Sequence, residues 1–155
     1  MNSPLDVSAS VLVPADPERA FRDVLVAPLP QLFAKRHLAL PPIKEVRGQQ
    51  GVWGTVGQTR TIVLADGGTM REELVSVESP TAFSYHIGDI TGALRPLAGG
   101  VDGRWSFTPR GAETQVTWAW RVYPRMALSS IALPVFGRMW QGYADKALAQ
   151  VRALF

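Results

Sequence analysis

Two adjacent carboxylates, one tyrosine and a group of tryptophans are the residues of this 155-residue chain best suited to chemistry. Glu72 and Glu73 lie in a segment of alternating apolar residues, and neighbours along a strand point to opposite faces. One of them therefore turns inward, where burial raises a carboxyl pKa and suits it to general-base or orienting work. Tyr85 is the matching acid candidate. The competing reading is a structural carboxylate paired with Arg60 or Arg121 on a neighbouring strand. We favour the pairing, because ion-pair networks perturb carboxyl groups as readily as active sites do. Which glutamate faces inward is open at this level.

The larger signal is aromatic: Phe83, Tyr85, Trp105, Phe107, Trp118, Trp120, Trp140 and Tyr143. Burying each is worth roughly 2–3 kcal/mol by area, so a core role suffices for all of them. Yet buried Trp and Tyr need partners for their N–H and O–H groups. Several on facing surfaces suit a cavity that is apolar in body and polar at a few points. The expected ligand-contacting set is Phe33, Trp53, Glu72, Tyr85, Ile87, Trp105, Trp118, Trp120, Arg121, Phe136, Met139, Trp140 and Tyr143. Glu72 or Arg121 would fix a polar end.

Other chemistries lack their residues. His86 falls opposite Tyr85, on the wet face with Ser84 and Gly88, and His37 is expected at a helix end, where a cation suits the macrodipole. Two histidines so placed make no metal triad, and no cofactor is expected. There is no Gly-x-Ser-x-Gly elbow, and the absence of cysteine removes thiol nucleophiles and disulfides and fits a reducing compartment. Gly51, Gly54 and Gly57 around Trp53 lack the Lys-Ser/Thr of a phosphate loop and read as a turn.

Composition sets the class. Hydrophobic residues at 46% and charged residues at 19% are those of a globular chain. The net charge of +3 comes from singly spread arginines; without a dense basic stripe, nucleic-acid binding is not expected. The longest apolar run, Met126 to Gly137, is too short to span a bilayer and contains Pro134. With no secretory pattern, a cytoplasmic protein without stable membrane insertion is expected, as monomer or homodimer. Arg in excess of Lys, with abundant Ala, Gly and Pro, hints at a GC-rich bacterial genome.

The positioning elements follow from periodicity. Val7 to Val13 alternates as a half-buried strand. Asp16, Pro17 and Glu18 mark a helix start, with Ala20, Phe21, Val24 and Leu25 as its apolar side. Leu29 to His37 is expected to form a second helix, ended by Pro41-Pro42. Six strands follow: Ile43 to Arg47, Thr59 to Ala65, Thr69 to Val77, Ala82 to Ile90, Arg104 to Thr108 and Thr114 to Tyr123. Gly92 to Gly103, rich in Gly and Pro, is expected to be a mobile loop that frames an entrance with the second helix. From Met126 to Phe155, Leu133, Phe136, Trp140, Tyr143, Ala147, Val151 and Leu154 recur at helical spacing. Pro134 is expected to kink this helix or mark where its body begins. Tight turns between consecutive strands imply an antiparallel sheet, and the last helix is the element long enough to cover its apolar face. The expected fold is α+β: a strongly curved antiparallel sheet of about seven strands, in order β-α-α-β6-α, gripping a long C-terminal helix as one domain over residues 1–155.

Several stretches carry a resemblance. VLVPADPERAF resembles the opening strand and short helix of the polyketide cyclase, START and Bet v 1-like (SRPBCC) superfamily. DGGTMREELVSVESPTAFSYHI is similar to its central hairpin, GRWSFTPRGAETQVTWAWRVYPR to its last two strands, and the final helix agrees in place and length. The resemblance implies a helix-grip fold and a cavity for lipids, polyketides or other apolar molecules under the long helix. It specifies reaction less well, since members include cyclases, dehydratases, hydrolases and carriers. Three readings follow: a binder of a small apolar or amphiphilic molecule, which we prefer; a cyclase/dehydratase using Glu72 or Glu73 with Tyr85; and a protein-interaction or membrane-recruited member whose cavity is collapsed and filled by its own aromatics.

Overall fold

The computed structural model describes residues 3–155; the first two residues of the expected 1–155 span lie outside the described residues. Chain order is β1 (Leu5–Val13), α1 (Pro17–Val26), α2 (Leu29–Leu32), β2 (Ile43–Arg47), β3 (Thr59–Leu64), β4 (Thr69–Glu78), β5 (Ala82–Gly88), β6 (Ala98–Arg110), β7 (Glu113–Pro124) and α3 (Ser129–Arg152). The strands form one seven-stranded sheet in order β1-β7-β6-β5-β4-β3-β2. Every pairing is antiparallel. Only the β1–β7 contact joins strands far apart in sequence, and α1 and α2 fill the resulting excursion.

Side-chain alternation sorts the two faces. On β4, Met70, Glu72 and Leu74 are buried while Arg71, Glu73 and Val75 are exposed. On β7, Val116, Trp118 and Val122 are buried and Arg121 and Tyr123 lie outside. The inner face meets α3 through Leu133, Phe136, Trp140, Ala147 and Val151, all buried, whereas Arg138, Gln141, Asp145 and Arg152 are exposed. The helix-grip expectation holds: a period-2 surface and a period-3.6 stripe each bury one side against the other. At the start of α1, the Asp16 carboxylate accepts a hydrogen bond from the Arg19 backbone N–H at 2.8 Å, with Pro17 at the first helical position.

Three expectations require correction. The second helix is one turn, Leu29–Leu32, and not Leu29 to His37. Phe33 leaves helical geometry at φ −108, ψ 48 and drives its ring into the core beside Trp118 and Tyr143. The Ile43 N–H donates to the Phe33 carbonyl, which draws the chain toward β2. His37 consequently sits in a short bridge with Leu40, not at a helix end. Its imidazole closes on α3 at Gly142, where an added Cβ would overlap the ring.

The second correction concerns Gly92 to Gly103. The strand β6 begins at Ala98, so the last six residues of the expected loop lie in the sheet, all paired to β7 except the bulged Gly99. A side chain on Gly103 would occupy the space of the Tyr85 ring, which crosses directly over it. Glycine here marks a close approach, not mobility. Third, α3 begins at Ser129 and carries Pro134 within it.

Candidate functional site: a divided cavity under the long helix

Three neighbouring strands aim polar groups inward among aromatics. Arg60 on β3 and Glu72 on β4 are directly opposed. The Arg60 Nε donates to Glu72 Oε1 at 2.7 Å, and both side chains are buried. The guanidinium is held twice more: Nη1 donates to Gln49 Oε1 at 3.0 Å, and the Trp53 ring covers it 3.8 Å from centroid to Cζ. Burial pushes the Glu72 carboxyl above its ordinary range, against the pull of the Arg60 charge.

Tyr85 on β5 forms a second polar centre. Its phenol oxygen accepts from the indole N–H of Trp118 and of Trp120, at 2.8 Å each. Burial, reinforced by the Glu72 charge, raises the Tyr85 pKa, so the hydroxyl stays protonated. With both acceptor positions used by indoles, its proton has no acceptor among the hydrogen bonds of the described residues. The two incoming bonds polarise the O–H and strengthen it as a donor.

These groups border a cavity of about 60 Å³ lined by α1, α2, strands β2 to β7 and Tyr143 of α3. Phe33, Ile87, Trp105, Trp118 and Trp120 lie in its wall with Arg60, Glu72 and Tyr85. A second cavity of about 110 Å³ opens between α3 and the turns at 39–41 and 93–97, with Phe136, Met139, Trp140 and Tyr143 on the helix side. Leu64, Met70, Trp120 and Tyr143 line both and form the partition between them. Much of the remaining space is taken by closely packed rings, with Trp118 and Trp140 tilted at 4.6 Å and Trp105 and Trp118 stacked at 5.6 Å between centroids. The Trp140 indole N–H is buried with no partner. The Tyr143 hydroxyl donates to the Pro41 carbonyl at 3.0 Å, tying the helix to the rim; burial raises its pKa.

The sequence-derived set is thus divided. Glu72 is the inward glutamate and Glu73 the outward one. Arg121 is exposed on the outer face, where Asp6 accepts two hydrogen bonds from it at 2.8 and 3.1 Å, so it fixes no polar end. The reason is strict alternation: with Trp118 and Trp120 inward, Arg121 must point out. Trp53 is buried but touches neither cavity, because its ring is spent on Arg60. Arg60 itself belongs to the site, although the sequence suggests it only as a partner for a glutamate. Its signal lay in the sequence, since Arg60, Ile62 and Leu64 share one face of TRTIVL.

Fold and cavity together define a helix-grip protein of the Bet v 1-like class. Residues 4–155 match the profile of the family described as polyketide cyclase/dehydrase and lipid transport. The chain belongs to that family, within the SRPBCC superfamily. Solved structures agree at the level of fold. The ginseng major latex-like protein 151 from Panax ginseng superposes with TM-score 0.71 at 12% identity, over 97% of each chain. Ara h 8.0201 gives 0.68 at 13%, over 97% of this chain and 99% of that one. Protein Ms6760 from Mycobacterium smegmatis gives 0.63 at 17%, over 97% and 90%. No curated protein matches in sequence.

Proposed function

We propose that the chain, acting as one ligand-binding domain, holds a compact, mainly apolar molecule bearing a hydrogen-bond acceptor such as a carbonyl. The observation that carries this is the pairing of an apolar, aromatic wall with two donors lacking acceptors, the Tyr85 O–H and the Trp140 N–H. Leaving a buried donor unmet costs about 1–3 kcal/mol, which an acceptor on a ligand would recover. The cavities of about 60 and 110 Å³ are each below the roughly 300 Å³ of an ordinary ligand site. Occupancy by anything of lipid or polyketide size requires the partition to move. Met70 is its adaptable member, an unbranched thioether with three rotatable bonds. Tyr143 moves by releasing Pro41.

The test is competition against a fluorescent apolar probe by matched pairs of ketone and hydrocarbon. The wild type should prefer the ketone, and Tyr85→Phe should lose about tenfold of that preference, one hydrogen bond's worth. No preference in the wild type would overturn the acceptor assignment. Failure to take up any apolar probe would favour the interaction protein with a filled core. The cyclase/dehydratase reading also has one observation behind it: a buried carboxyl, Glu72, and a protonated phenol, Tyr85, border the same cavity. It expects a bell-shaped pH–rate profile on a polyketide-like substrate, abolished by Glu72→Gln.

A further inference from the structure

The mouth of the second cavity is surrounded by three segments, residues 34–41, 92–97 and 125–139. Contacts hold them together. Arg125 donates to the carbonyls of Arg95 and Ala98, Ser129 donates to Pro96 O at 2.7 Å, and Lys146 reaches Arg36 O at 2.8 Å. Their composition is unlike the rest of the chain. They contain Lys35, Arg36, Arg95, Arg125 and Arg138 and not one Asp or Glu. Removing these five from the 16 Lys+Arg leaves 11 against 13 Asp+Glu, so the positive excess of the molecule resides at this rim. The β3–β4 turn borders the same cavity and brings to it the one carboxylate that reaches it among the described residues, the exposed Asp66.

The same rim exposes apolar side chains that the fold does not use. Leu38, Met126, Leu128, Ile131 and Val135 are between 50% and 75% exposed. They make up five of the eleven large apolar side chains exposed among the described residues. Leu128, Ile131 and Val135 share one side of the start of α3 by their spacing, next to the cavity-lining stripe of Phe136, Met139 and Tyr143. Leu38 is held at φ 52, a left-handed conformation that costs a β-carbon residue about 1 kcal/mol. The cost brings no burial within the protein.

We propose that this rim docks on an anionic phospholipid surface, placing the mouth of the second cavity against the lipid. Apolar side chains carried singly on separate turns, interleaved with cations, suit an interface where the former enter the acyl boundary and the latter meet headgroups. A second copy of the chain fits poorly, because a two-fold contact would set five cations against five. Crossing is not involved: among the described residues no helix is long and apolar enough to span a membrane. The docking goes beyond the cavity reading and does not depend on what the cavity holds.

Flotation of the full chain with phosphatidylcholine vesicles, with and without phosphatidylglycerol, tests it. The protein should partition at least about tenfold better onto the anionic vesicles and release in high salt, as expected for several cations near the surface. Ile131→Asp should lose most of that binding, and Arg138→Gln about fivefold, roughly one cation's contribution. Both positions are exposed, so melting temperature and uptake of the apolar probe should stay as in the wild type, whereas Tyr85→Phe should keep vesicle binding. Equal partitioning onto both vesicle types, or wild-type binding by Ile131→Asp, overturns the proposal. So does a dimer broken by Ile131→Asp in a protein that ignores vesicles.

Discussion

Single residues in this protein are constrained by what crosses them. The missing side chain at Gly103 is what lets Tyr85 lie across β6 and reach two indoles at once. Gly103→Ala should push the ring aside, strand both indole donors and destabilise the fold by at least about 2 kcal/mol, from overpacking and unmet donors together. Chemical denaturation measures the loss, and near-ultraviolet circular dichroism should report the altered tryptophan environment. Arg60 is equally constrained, with its charge buried beside Glu72. Arg60→Met should cost about 3–5 kcal/mol at neutral pH, because a carboxylate is left buried and alone. The sign of the pH dependence follows from the raised Glu72 pKa. The folded state binds its proton more tightly than the unfolded chain, so stability is greatest below the ordinary 4.5 and declines as pH rises through the raised value. Melting curves across that window should fall more steeply for Arg60→Met, where nothing opposes burial, and flatten in Arg60→Met/Glu72→Gln.

At the scale of elements, α3 carries an internal flaw. Pro134 lies in its second turn, where it removes the hydrogen bond to Ser130 O and crowds that carbonyl. The Ser130 hydroxyl is itself buried without a partner. Pro134→Ala should raise stability by about 1–3 kcal/mol, seen as a higher melting temperature, because it restores the hydrogen bond to Ser130 O and relieves the crowding. Cavity-probe binding should then weaken, since the rim residues Phe136 and Met139 follow directly. On the sheet's outer face, β5, β6 and β7 are linked by a different device. Asp102 meets His86 Nδ1 at 2.8 Å and accepts from the Tyr123 hydroxyl at 2.7 Å. Partial burial would raise the Asp102 carboxyl, but these hydrogen bonds outweigh it and hold it below the usual range. A depressed carboxyl stabilises the fold above its ordinary 3.8 and loses that contribution as pH falls through the lower value. The difference in melting temperature between wild type and Asp102→Asn should therefore shrink in acid.

Across the whole molecule, the interior is a compromise between core and container. Four tryptophans, Trp105, Trp118, Trp120 and Trp140, pack ring against ring through the middle, stacked, edge-on or tilted. They stabilise the grip of sheet on helix and divide what would be one cavity into two. Unmet donors remain on both sides of the partition, the Tyr85 O–H in the inner cavity and the Trp140 N–H on the side where the mouth opens and the positive, apolar rim collects. Ligand uptake and surface docking would share one end of the molecule, leaving the outer face of the sheet free of both.

Periodicity alone determined the seven strands, the terminal helix and their antiparallel grip, because a period-2 face and a period-3.6 stripe have few ways to bury each other. It also contained the inward set on β5 and β7 and, through strand alternation, the outward direction of Arg121. What only the tertiary structure decided is how close things come. The glycines of 92–103 read as looseness from composition, yet Gly99, Gly100 and Gly103 lie in β6, and the Tyr85 ring lies on Gly103. The helix expected up to His37 stops at Leu32, because the Phe33 ring gains more between Trp118 and Tyr143 than one further turn would return. Whether aromatic side chains fill a space or line it is likewise a matter of volumes between elements, which no single stretch of sequence contains.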